Sequence, residues 1–233
     1  MRWKTICFNA SVALNSLLVF LVLMETLIVI PPWLQSVGRM HPLLLHFPIV
    51  LIVLSACFEI VIASKKLPAF PGKNFGDGLL LITSLTAALS AVMGLLLSRE
   101  EGYSSDTLFW HKLGGVVLSL LALGWYIVRD FIRIHQPLLT MIALSAGILV
   151  VITGHLGATI THGENFLLSP FQMAGSTPNV LIEEAMVYPH MVQPILKAKC
   201  IACHSEAKAK GELVMQPFAS LVKGGKSGAP WDP

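Results

Sequence analysis

The sequence predicts an all-α integral membrane protein, with five transmembrane helices followed by a small polar segment. Three observations predict it. Charged residues make up only 12% of the 233 residues, about half the share usual in a soluble domain. The apolar residues gather before about residue 160 in runs long enough to cross a bilayer. The rest of the chain is polar, rich in Pro and Gly, and locally basic. The net charge of +3 is no argument for nucleic acid, because the basic residues stand in short groups beside the apolar runs. No glycine loop for phosphates and no hydrolytic constellation is present.

The first apolar run, Ile6 to Ile30, is longer than a signal-peptide core and shows no small-residue cleavage site. It predicts a retained helix, stopped by Pro31-Pro32, within an N-terminal segment 1–37. The second run, Leu44 to Ala63, carries Pro48 in its first turn, where a missing donor is tolerated, and Glu59 near its far end. The third, Leu79 to Leu97, holds no charge. The fourth, Leu113 to Val128, is short and leans on His111 and Lys112 to reach the headgroups. The fifth, Leu138 to Ile160, is introduced by Pro137. The second to fifth runs delimit a membrane domain over 38–166. Glycines 94, 114, 115, 124, 147, 154 and 157 mark close helix packing or room for a flat cofactor. Cys7 and Cys57 lie in or beside the spans, as small core residues rather than a bridge.

Charge sets the expected orientation. With the N-terminus in the cytoplasm, Arg2, Lys4, Lys65, Lys66, Lys73, Arg129 and Arg133 lie inside, against only Arg39, Arg99 and Lys112 outside. Five spans then place everything after residue 160 in the periplasm of a bacterial inner membrane. The same topology gathers His41, His46, His111, His155 and His162 on the outer side, with His135 on the inner. His155 and His162 share one face if the fifth helix continues through Gly157. A pair from neighbouring helices would hold a b-type heme. Three histidines, drawn from the candidates His46, His111, His155 and His162, would with Glu164 instead suit zinc or copper. One histidine would suffice to exchange a proton with a quinol. The plain alternative is interfacial histidines bonded to loops and lipid headgroups.

Cys200-Ile201-Ala202-Cys203-His204 is a c-type heme attachment signature, with zinc or dithiol chemistry as the competing reading of its cysteines. Cys200 and Cys203 would carry the heme and His204 would bind its iron. Heme c is the expected cofactor, and heme b the further one. Met215, 11 residues after His204, is the one methionine beyond the signature and a candidate sixth ligand. A linker over 167–187 precedes this segment, 188–233, in which a helix around Ile195 and Leu196 would lead into the signature. Lys197, Lys199, Lys208 and Lys210 surround it, as a steering patch for an acidic partner or a plain solvated surface.

These residues carry two resemblances. His41-Pro42-Leu43-Leu44-Leu45-His46-Phe47-Pro48, Trp110-His111-Lys112-Leu113-Gly114-Gly115, Gly154-His155-Leu156-Gly157 and Thr161-His162-Gly163 resemble signatures of a bacterial multi-helix membrane family, DUF2231-like, over about 38–166. That resemblance implies a membrane domain and no particular reaction. The stretch from Val192 through Lys226-Ser227-Gly228 resembles the start of the planctomycete-type cytochrome c domain. It implies a bacterial envelope protein whose cytochrome continues past Pro233 to a methionine ligand, so an incomplete cytochrome c-like segment is expected. Together these readings predict a membrane-anchored electron-transfer component rather than a stand-alone catalyst. Its expected partners are the lipid bilayer, a periplasmic redox protein or larger membrane complex, and a quinol. A heme-containing sensor or assembly module, or a metal-binding membrane protein, is the alternative.

Overall fold

The computed structural model describes residues 2–63, 72–100, 106–162, 168, 171, 182–201, 203–206 and 208–230. Lys65, Lys66, Glu164, Ala202 and the linker stretches Ser169-Pro170 and Gly175 to Pro178 lie outside them. The chain divides into two compact units. The first comprises Met1–Arg99 and His111–Thr153, the second Glu100–Trp110 and Gly154–Pro233.

Seven helices carry the apolar runs: α1 (Arg2–Leu23), α2 (Pro32–Gly38), α3 (His41–Leu44), α4 (His46–Ala63), α5 (Gly72–Leu97), α6 (Asp106–Ile134) and α7 (Gln136–His162). By length and composition α1, α5, α6 and α7 can each cross a membrane. Pro32–Leu44 and His46–Val61, bent by 42°, qualify together as a fifth span. The protein is therefore a multi-pass α-helical membrane protein.

The boundaries differ from expectation in two places. α1 ends at Leu23, short of Ile30, and Met24–Leu27 form a turn. Residues preceding prolines are pushed out of the helical region, and Pro31 itself is extended at φ −67°, ψ 151°. Pro32 then opens α2 rather than closing α1, at a position where its missing donor costs nothing. α6 runs well past Val128, because Arg129 and Arg133 stay helical and are neutralised by carboxylates from neighbouring helices.

α5 is the central helix, packed against α1, α2, α3 and α4. A helix apolar on all sides belongs inside, and Leu80, Leu81 and Ala88 are almost wholly buried. They join Ile52, Trp125, Ile132, Leu139 and Ala146 in the core. A polar seam crosses this core. Ser11 and Ser84 hydroxyls meet at 2.5 Å, Asn15 donates to the Ser11 carbonyl at 2.9 Å, and Ser119 donates to Asn15 Oδ1 at 2.8 Å. It ties α1, α5 and α6 together where no water competes for the bonds.

The charges sort to two ends. At one, Arg133 Nε donates to Glu59 at 2.8 Å, while Arg129 and Arg133 both donate to Asp77 at 2.8 Å. Lys4 lies 3.8 Å from Asp77, and Lys73 pairs with Asp130 at 3.2 Å. At the other, Glu25 receives Lys112 at 2.5 Å and Arg99 at 3.8 Å. Glu59, a carboxylate in an apolar run and so a candidate for chemistry, is 1% exposed and has a bidentate arginine partner.

In the second unit the polar segment folds around short elements. A 3-10 turn (Ile182–Glu184) is followed by a π-helix (Val187–Val192) that runs into α8 (Gln193–Lys199). α8 occupies the place where a helix is expected before the signature, but Ile195 on it is 62% exposed. A two-residue antiparallel ladder, β1 (His204–Ser205) with β2 (Lys208–Ala209), is a small addition to an all-α protein. A final helix, α9 (Phe218–Lys223), closes the segment, with Phe218 stacked 4.3 Å from Tyr188 and Leu221 buried.

Candidate functional site

Cys200 sits at the C-terminal end of α8, its N–H donating to the Leu196 carbonyl at 2.9 Å. The Cys203 and His204 amides then both donate to the Cys200 carbonyl, at 3.0 and 3.1 Å. The signature is thus wound into a tight turn with both thiols free and partly exposed. His204 Nδ1 lies 3.3 Å from the Leu213 carbonyl. A carbonyl can only accept, so Nδ1 carries the proton and Nε2 keeps its lone pair for a metal. Free thiols and a correctly protonated imidazole fit a covalently attached heme.

Met215 is joined to the same turn through its backbone. Its N–H donates to the His204 carbonyl at 2.8 Å, two residues after Leu213 takes the ring proton. The backbone of Met215 is thereby fastened beside His204. His190, absent from the sequence expectations, has the other tautomer. Its Nδ1 accepts the Met186 N–H at 2.9 Å, so its Nε2 carries the proton.

The membrane histidines are arranged differently from expectation. His111, at the head of the first unit's part of α6, has His41 as its neighbour, with ring centroids 6.3 Å apart and planes at 80°. His46 opens α4 and is exposed. His155 and His162 are exposed on α7, two turns apart, in the second unit. Glu164, offered with them as a metal ligand, lies outside the described residues. Among the described residues no group of three or more His, Cys, Asp or Glu is placed to hold a metal ion.

Two glycines seat the His41–His111 pair. His41 lies against α5 with Nδ1 2.9 Å from the Ser90 carbonyl, and a Cβ on Gly94 would meet its ring at 2.9 Å. His111 Nδ1 lies 2.9 Å from the Thr153 carbonyl. Thr153 reaches that position because Gly114 leaves room: any side chain there would strike its hydroxyl. That hydroxyl, buried, has no hydrogen-bond partner among the described residues. Sequence alone could not choose His41 over His46. Five residues apart on a straight helix they would project in different directions, and the bend between α3 and α4 decides which of them reaches His111.

No curated protein and no solved structure matches the chain. A family of predicted membrane proteins, DUF2231, matches residues 39–165, from just before α3 to just beyond α7, and the match stops short of Cys200. It covers more than half of the sequence and includes both His41 and His111. The chain therefore belongs to the DUF2231 family of predicted membrane proteins.

Proposed function

We propose that this protein is a membrane-anchored c-type cytochrome that passes single electrons at the outer face of a bacterial inner membrane. The observation that carries the reading is the His204 Nδ1 contact with the Leu213 carbonyl, beside two free thiols in one turn. Cys200 and Cys203 would hold the heme as thioethers, and His204 Nε2 would take one axial position. When bound, the group supplies one-electron chemistry at its iron. The chain's own part is to fix the imidazole through Leu213, to hold the thiols on one turn, and to tether the site to the bilayer. Lys197 is exposed on α8 beside the site and would favour an acidic redox partner. The basic cluster of Lys4, Lys73, Arg129 and Arg133 supports a cytoplasmic position for its end of the bundle.

The test is covalent heme in the purified chain, expressed with a cytochrome c maturation system. A c-type spectrum in alkaline pyridine, and heme that stays with the polypeptide in denaturing gels, are expected, and both vanish in Cys200→Ala/Cys203→Ala. Absence of covalent heme in the unaltered chain sinks the proposal. Covalent heme that exchanges electrons with neither a quinol nor small cytochromes would favour a sensing role.

A further inference from the structure

The tail accounts for one centre and leaves the His41–His111 pair unused. We propose that His41 and His111 are the axial ligands of a second, non-covalently bound heme within the helical unit. This assignment stands whether or not Cys200 and Cys203 carry heme.

Spacing is the first argument. A metal–imidazole bond of about 2 Å on each side of one iron, continued to each ring centre, separates the two rings by about 6 Å. The observed centroid separation is 6.3 Å. Protonation is the second. Both Nδ1 atoms lie 2.9 Å from backbone carbonyls, of Ser90 and Thr153, so each neutral ring carries its proton on Nδ1 and leaves Nε2 as the ligating nitrogen. Two such acceptors side by side, each locked in its tautomer, gain nothing from one another without a metal or a proton donor.

Room is the third argument. Gly115 stands one turn from His111 on the same face of α6. Nothing described lies within 4 Å of where its Cβ would be. A planar macrocycle on His111 needs that space, since a side chain one turn away would meet its edge. The fourth is charge. Lys112 adjoins His111, and Arg99 shares Glu25 with it. Both cations lie at the end of the bundle where the pair sits, and would suit a group bearing anionic propionates. A bare ion would need a third protein ligand, and the described residues place none.

The experiment separates the two hemes by how they are held. The full chain is expressed with heme supply, and non-covalent heme is extracted into acidified acetone and quantified by its alkaline pyridine spectrum. About one extractable b-type heme per chain is expected, and it should persist in Cys200→Ala/Cys203→Ala and in His46→Leu. It should be lost in His41→Leu and in His111→Leu. In His41→Gly, added imidazole should restore the six-coordinate low-spin spectrum, a rescue that a packing role would not give. The near-perpendicular ring planes predict a ferric resonance of the strongly anisotropic low-spin type. The proposal is overturned by the absence of extractable heme from the unaltered chain under heme supply, or by its survival in both His41→Leu and His111→Leu. A covalent signal alone would leave the tail reading standing and remove this one.

Discussion

At the scale of single residues, the two ends of the bundle obey different rules. Glu59 and Arg133 are held together by two hydrogen bonds in a setting where Glu59 is 1% exposed. Removing one member of a buried pair costs up to about 3–5 kcal/mol when the other is left without a partner, whereas replacing both is often neutral; here Arg133 would keep its bond to Asp77, which lowers the cost. Glu59→Leu should still lower the unfolding midpoint in detergent. Glu59→Leu/Arg133→Leu should recover part of that loss, with Asp77 still satisfied by Arg129. A double variant no better than the single would show that the pair is not the unit of stability. Gly114 makes the complementary case. Gly114→Ala places a methyl on Thr153, at the carbonyl that fixes His111. Overpacking of this kind costs about 1–3 kcal/mol, and the variant should lose thermal stability while Gly124→Ala, with open space beside it, should not. The sequence made the charges in the spans legible, since a carboxylate in an apolar run demands a partner. It did not make Arg133 legible as that partner, because the two stand 74 positions apart and only helix packing joins them.

At the scale of elements, apolar length located α1, α5, α6 and α7, while the second run became part of a bent pair, and the ends and bends were set by forces no length criterion sees. α1 stops at Leu23, where Met24–Leu27 turn the chain before Pro31 is reached. α6 runs long because its arginines are paired. The break at Leu45 was illegible, yet it determines that His41 rather than His46 joins His111. The tail was legible in its signature and in the helix before it. Its closing helix α9 was not expected, because six residues bury only Leu221 and lean on one aromatic stack. That stack is testable. An aromatic pair contributes about 0.5–1.5 kcal/mol beyond its buried area. Phe218→Ala should release Tyr188 and raise amide hydrogen exchange across the turn of Cys200 to His204. Protection there equal to the unaltered chain would mean that α9 does not brace the signature.

At the scale of the whole molecule, the number of crossings decides which side the turn of Cys200 to His204 occupies. Four spans return the chain to the side of its N-terminus, and five carry it across. The bent pair is the deciding element, and its packing against α5 settles how far it travels. Gly38 lies against Leu96 and Leu97, and His41 reaches the Ser90 carbonyl, all toward the C-terminal part of α5. At its other end Glu59 lies against Gly76, near the start of α5. α4 is 18 residues long, about 27 Å at 1.5 Å per residue, close to the thickness of a hydrocarbon core. It therefore runs alongside most of α5, which by length and composition can itself span, and this favours counting the bent pair as a crossing. With the bent pair as a fifth crossing, and with the basic cluster of Lys4, Lys73, Arg129 and Arg133 on the cytoplasmic side as proposed, the tail is predicted to be periplasmic. A reporter enzyme active only in the periplasm should be active when fused after Ala229 and inactive when fused at His135, between α6 and α7. Activity at His135 with none after Ala229 would reverse the orientation. The tail would then face the compartment where c-type heme is not normally attached, and the covalent-heme reading would fall with it.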